Sequence, residues 1–283
     1  MAIMNQVKTV LLLGLLTGLM LGIGQMFGGR QGLFIALIFV LLMNFVMYWF
    51  SHKIVLMMYR AKPVTKQQAP KMHKIVEELC TETGIPKPPL YIIPTQTPNA
   101  FATGRNPKHA AVACTEGILQ LLSEEELKGV LAHEISHVKN RDILITTIAS
   151  TIAGVISYLA AMARWAAIFG GGNRDSDSGG FIGLIVLTIL APLIAVILQL
   201  AISRNREYQA DASGAKLLRT GTPLAQALKK MDESIKHNPL RFGNPSTANL
   251  FIVNPFRGSA LISLFSTHPP TQERVQRLKQ LKF

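Results

Sequence analysis

His133-Glu134-Ile135-Ser136-His137 is an H-E-x-x-H run, and its residue types suit metal-assisted hydrolysis. On a helix, two histidines four residues apart share a face, with Cβ atoms about 5–6 Å apart, so both imidazoles can reach one zinc ion at about 2.0–2.1 Å. Glu134 is i,i+3 to His137, at the edge of that face. There its carboxylate can take a proton from an attacking water without ligating the metal. The spacing carries this meaning only on a helix, so the helix has to be argued separately. Ser123-Glu124-Glu125-Glu126 reads as a capping box, with Ser123 as N-cap and Glu126 at N3. Three acids in the first turn also suit the helix dipole. Leu127, Val130, Leu131, Ile135 and Val138 then recur at helical spacing.

A catalytic zinc site needs a third protein ligand and an open fourth position. Asn140 and Ile143 stand where the extended metzincin pattern would need Gly and His, which excludes that class. Asp142 reads as too close along the same helix. The downstream candidates are Glu207, Asp211, Asp232, Glu233, His237, His268 and Glu273. Glu207 and Asp211 stand at i,i+4; the first can ligate zinc, and the second can accept the free N–H of a ligating histidine. With Arg204 and Arg206 beside them, a solvated helix face is the alternative.

The elements that carry these residues are set by a membrane-like composition. The chain has 283 residues, 49% hydrophobic and 16% charged, with mean hydropathy +0.29. Soluble domains carry roughly 25% charged residues, which argues against an ordinary soluble enzyme and against disorder. Four stretches are long enough to cross about 30 Å of hydrocarbon, which takes about 20 residues. They run from about Thr9 to Phe27, Leu33 to Phe50, Ile143 to Phe169 and Phe181 to Ser203. The first pair is joined by Gly28-Gly29-Arg30-Gln31-Gly32, the second by the polar loop 170–180. Lys53, Arg60, Lys62, Lys66, Lys71 and Lys74 follow the second span, and Arg204 and Arg206 the fourth. By the positive-inside rule, both termini and both segments bearing the site are cytoplasmic. This placement accounts for much of the +13 net charge. No aromatic residues interleave with the basic run, so nucleic acid is not the expected partner. Cys80 and Cys114 read as small apolar side chains in a reducing compartment.

The expected organisation is therefore an N-terminal transmembrane hairpin (1–50), a cytoplasmic part with the H-E-x-x-H helix (51–142), a second hairpin (143–203) and a cytoplasmic helical part (204–283). The fold class is a mainly α membrane protein with four transmembrane helices and a cytoplasmic catalytic domain. Tyr91-Ile92-Ile93 and Ala110 to Cys114 read as short strands of a small sheet, and an amphipathic helix spans about Pro70 to Thr83.

Four motifs in order carry a resemblance: Asn99-Ala100-Phe101-Ala102-Thr103-Gly104, the H-E-x-x-H run, Arg206-Glu207-Tyr208-Gln209-Ala210-Asp211-Ala212, and Thr267-His268-Pro269-Pro270. Together they resemble the HtpX heat-shock membrane proteases of the M48 (Ste24-like) zinc metallopeptidases, over nearly the whole chain. The resemblance implies an α+β zincin-like (gluzincin) domain, one Zn2+ per chain and Glu207 as third ligand. Asp211 would orient a histidine, and His268, or less readily Tyr208, would hold the oxyanion. It implies that the segment with Asn99, Ala100 and Phe101 is an edge strand able to bind a substrate backbone by β-addition. It also implies a multi-pass protease of the bacterial inner membrane that cleaves damaged or misfolded membrane proteins in protein quality control and stress response. Unfolded proteins, the lipid bilayer and other quality-control proteases would be its partners. Two readings from other classes compete: a membrane zinc scaffold or chaperone without turnover, and a zinc hydrolase acting on a lipid-modified substrate. Glu134 speaks against the scaffold, because a structural zinc site closes its fourth position and needs no base.

Overall fold

The computed structural model describes residues 2–152, 204–243, 245–256 and 269–283. The expected fourth span, most of the third, the loop 170–180 and His268 lie outside these residues.

Helix α1 (Ala2–Met58) is broken once, at Gly29, whose φ of 53° and ψ of −141° only glycine adopts readily. The chain reverses there into a hairpin. Gly24 and Gly32 meet backbone to backbone, with no room for a Cβ on either, and Asn44 donates to the Thr17 hydroxyl across the pair (3.1 Å). The second arm, Gly28–Met58, is 31 residues long with hydropathy 2.4, long and apolar enough to cross a membrane. Among the described residues it alone meets that test; the first arm contributes the shorter apolar helix Leu13–Met26. Phe34, Ile38, Leu41, Leu42 and Phe45 are exposed on this hairpin, an apolar surface suited to lipid rather than to water. Where the apolar stretch ends, Arg105 lies over the Trp49 ring (4.0 Å). The same helix runs on into the folded domain, where Val55, Leu56 and Tyr59 are buried.

That domain is built on a four-stranded mixed sheet in the order β1-β2-β4-β3, from β1 (Lys62–Pro63), β2 (Leu90–Ile93), β3 (Ala100–Gly104) and β4 (Ala110–Thr115). β2 and β4 are parallel and β3 runs antiparallel to β4. Side chains alternate between faces. Ala100, Ala102, Val112 and Cys114 join the core formed with the helices, and Phe101, Ala111 and Ala113 join a second core with Tyr59 and Phe251. Burial on both faces is why Ala110 to Cys114 is a continuous apolar run.

Over the first face lie α2 (Pro70–Thr83) and α4 (Glu124–Asn140), preceded by the short α3 (Glu116–Leu121). α4 starts at the capping box read from the sequence: Ser123 accepts from the Glu126 N–H, and Glu126 accepts from the Ser123 N–H. It ends where Arg141 turns left-handed (φ 59°). The apolar helix α5 (Ile143–Ile152) follows. Then α6 (Arg204–Leu218), α7 (Thr222–His237) and α8 (Thr271–Gln280) complete the helical layer. The described residues before and after α5 thus contribute to one core.

Phe101 and Phe251 meet edge to face (5.3 Å), and each ring also meets Tyr59. Phe101→Ala should cost about 3–5 kcal/mol by leaving a cavity in this cluster. Denaturant unfolding of detergent-solubilised protein measures it; a loss below about 1 kcal/mol would show that the core collapses around the gap.

Candidate metal centre

α4 carries His133, Glu134 and His137 into the interior, with His133 and Glu134 almost fully buried. α6 crosses it closely because Gly214 has no side chain; a Cβ there would stand 3.0 Å from the His133 nitrogen. The crossing sets Glu207 beside both imidazoles and Asp211 beside His133. The two Nε2 atoms are 3.1 Å apart. Glu207 Oε2 is 3.7 Å from the first and Oε1 is 3.6 Å from the second.

The other ring nitrogens are engaged by carboxylates: His133 Nδ1 lies 2.9 Å from Asp211 and His137 Nδ1 lies 3.1 Å from Asp142. Each Nδ1–H therefore donates outward, which turns each Nε2 lone pair towards the other. Ligand atoms of His133, His137 and Glu207 all lie within 4.8 Å of one another. Ligands about 2.0–2.1 Å from one tetrahedral ion stand about 3.3 Å apart, so the spacing fits zinc.

Charge fits as well. Glu134, Asp142, Glu207 and Asp211 are buried carboxylates, and Arg206 and Arg274 are buried guanidiniums. Carboxyl groups thus outnumber guanidiniums four to two, an imbalance that favours a cation at this point. Burial pushes the His133 pKa down to about 4 against the pull of Asp211. Burial also opposes charge on His137, but the hydrogen bond to Asp142 and the Glu207 charge outweigh it and push its pKa up to about 9. The site thus favours positive charge beside Glu207. Burial, with Glu207 adding repulsion, pushes the Glu134 pKa up to about 7.

Asp211 is held from behind. Arg274 donates to both its oxygens (2.9 and 2.7 Å) and to the Ile252 carbonyl (2.6 Å). Burial disfavours the Asp211 carboxylate, yet Arg274 keeps its pKa below the usual range. A cleft of about 20 Å³ opens on the histidines, room for a water-sized group. Ala102, Ile143, Thr146 and the segment 249–252 complete its walls.

The structure thus gathers His133, Glu134, His137, Glu207 and Asp211. It does not bring the Asn99 or Phe101 side chains into the cleft. Asn99 is buried and bonds the Val253 main chain (2.7 Å from Nδ2 to the carbonyl), and Phe101 points into the ring cluster. The Ala100 carbonyl accepts from the Ile252 N–H (3.2 Å). Tyr208 stacks under Arg277 (3.7 Å) outside the cleft walls. Asp232, Glu233 and His237 form a surface cluster with Lys236. Sequence reasoning set Asp142 aside and missed the 249–252 wall. α4 stops at Asn140, so Asp142 is not on that helix and the chain folds back to His137; no glycine marks the turn.

The sequence profile of peptidase family M48 matches residues 66–282. The chain is 56% identical to the Protease HtpX homolog of Persephonella marina, over 98% of each chain. It is 54% identical to that of Pyrococcus furiosus, over 97% of this chain and 95% of the relative. The crystal structure of S. mikatae Ste24p shares the fold, with a TM-score of 0.52 and 22% identity over 98% of this chain, which spans 66% of Ste24p.

Arg274→Ala would leave Asp211 as an uncompensated buried charge and should cost about 3–5 kcal/mol. Adding Asp211→Asn should recover part of the loss. Thermal unfolding of the two variants reads this, and a single variant as stable as the wild type would remove Arg274 as the support of Asp211.

Proposed function

The chain belongs to peptidase family M48 and is a metallopeptidase, and from that premise we propose that it is an integral membrane zinc endopeptidase. His133, His137 and Glu207 are its ligands and Glu134 its general base. The observation that carries the reading is the convergence of three acceptors on one buried point with a carboxylate beside it. A zinc ion held there supplies Lewis acidity, lowering the pKa of a coordinated water to about 7 and polarising a carbonyl.

The protein's own groups do the rest. Glu134 is held at the cleft by the Ala102 N–H, and a nearby cation favours its carboxylate form, the form a base needs. It takes a proton from water and returns it to the leaving amine. Asp211 keeps the His133 ring in the ligating tautomer. His268 is the proposed donor to the oxyanion. An extended substrate lies along the outer edge of β3, where Ala102 borders the cleft, and pairs with main-chain groups in exchange for bonds they already make, which sets its register with little sequence preference. That suits clearance of damaged or misfolded membrane proteins on the cytoplasmic side, in quality control and stress response. The α1 hairpin and a second hairpin over 143–203 anchor the enzyme with four spans, both termini inside.

Glu134→Gln should keep zinc and lose cleavage of unfolded casein by at least about 100-fold, the lower end for a general base. Glu207→Ala should lose both. Metal analysis after gel filtration and a casein assay on solubilised protein decide; full zinc retention in Glu207→Ala would remove that ligand, and zinc without turnover in the wild type would favour a scaffold.

Topology is tested separately. A reporter fused within 171–180 should read as non-cytoplasmic, and a cytoplasmic signal would overturn the four-span arrangement.

A further inference from the structure

We propose that Asp142 is a positioning residue for the second histidine: it holds the His137 Nδ1–H, with the buried Arg206 guanidinium nearby as a countercharge. The inference rests on the reading of His133, His137 and Glu207 as metal ligands.

Asp142 Oδ2 lies 3.1 Å from His137 Nδ1. The carboxylate is nearly buried, and Arg206 is buried with its guanidinium attracted first to Asp142 and then to Glu207. The backbone is bent to make this contact. Arg141 stands in the left-handed region, a conformation disfavoured for a side chain that is not glycine. The bend lets the Asp142 N–H donate to the His137 carbonyl (3.0 Å). Asp142 is thereby fastened to His137 through main chain and side chain together.

The arrangement repeats what stands behind the first histidine. His133 is backed by Asp211, which Arg274 holds with two hydrogen bonds; His137 is backed by Asp142, with the Arg206 charge in its neighbourhood. Arg206 has a further effect, because it immediately precedes Glu207. It sets a positive charge in the first turn of α6, within electrostatic reach of both Asp142 and the third ligand. His137 also needs the support more. Its side chain is 14% exposed against 1% for His133, so less packing fixes its ring.

The test uses full-length protein in detergent. Asp142→Asn keeps the shape and removes the charge. Zinc affinity, measured by competition with a chromophoric chelator, should fall about 10–100-fold. The visible spectrum of the cobalt-loaded variant should shift, reporting an altered ligand field. Arg206→Gln should move both readouts in the same direction by less, and it decides the matter if Asp142→Asn does not fold. A purely structural role would lower the melting temperature and leave both readouts as in the wild type. That outcome in the folded Asp142→Asn protein, or in Arg206→Gln if it alone folds, overturns the assignment. Wild-type protein that binds no zinc, or His133→Ala that keeps it, would instead count against the metal site.

Discussion

Two imidazole nitrogens facing each other at 3.1 Å in a buried site are the constraint around which this domain is organised. With each Nδ1 donating to a carboxylate, the facing lone pairs repel unless positive charge lies between them. The capping box starts α4, so its helical phase sets His133 and His137 on one side. Gly214 lets α6 come close enough for Glu207 to close the triangle. Neither helix builds the site alone. Without α6 the histidines are a pair on a helix, and without α4 Glu207 and Asp211 are acids beside arginines.

The cost of such a site is electrostatic. Carrying four carboxylates into the interior forfeits their hydration, and each would protonate or unfold the domain if left alone. Bidentate contact with the planar, charged Arg274 guanidinium is what replaces hydration for Asp211. Two arginines answer four carboxyl groups, and that imbalance favours a cation at the centre. Metal binding and the folding of this layer are therefore linked: a cation that neutralises the centre stabilises α4, α6 and α8 together, since Arg274 reaches in from α8.

Much of this was legible in the residues because it is local. A capping box, a period of 3.6 and an i,i+4 pair are read within one turn of chain, and so are the short strands and the glycine hairpin. What stayed hidden is what depends on a reversal or on distance in sequence. Asp142 looked like part of α4 because Asn140-Arg141 contains no glycine to announce a left-handed stop. The contact of Asn99 with Val253 joins segments 154 residues apart, and no spacing rule reaches that far. Phe101 has an ambiguous signature: in a strand buried on both faces, alternation does not say which face meets the cleft. Arg274 carries no signal of its role in the sequence, since a basic residue at a helix start is ordinary on a surface and rare in a core.

The same long-range contacts bear on how a peptide could reach the centre. β3 is the edge strand, but its outward main-chain groups are already engaged. The Ala100 carbonyl accepts from Ile252, and the Gly104 N–H donates to the Thr147 hydroxyl (3.3 Å), which also bonds Thr103 (3.0 Å). Between them, the Ala102 N–H serves Glu134. A peptide that pairs with this edge has to exchange hydrogen bonds with these groups one for one, so net affinity from the backbone is small. Binding strength must then come from side chains in the cleft or from apolar contact with its walls. A segment confined beside the proposed membrane anchor would meet that requirement more readily than a peptide in dilute solution, because confinement raises its effective concentration at the edge. The position of Thr147 on α5 makes that helix part of the same exchange: where α5 lies determines whether the far end of β3 is tied or free.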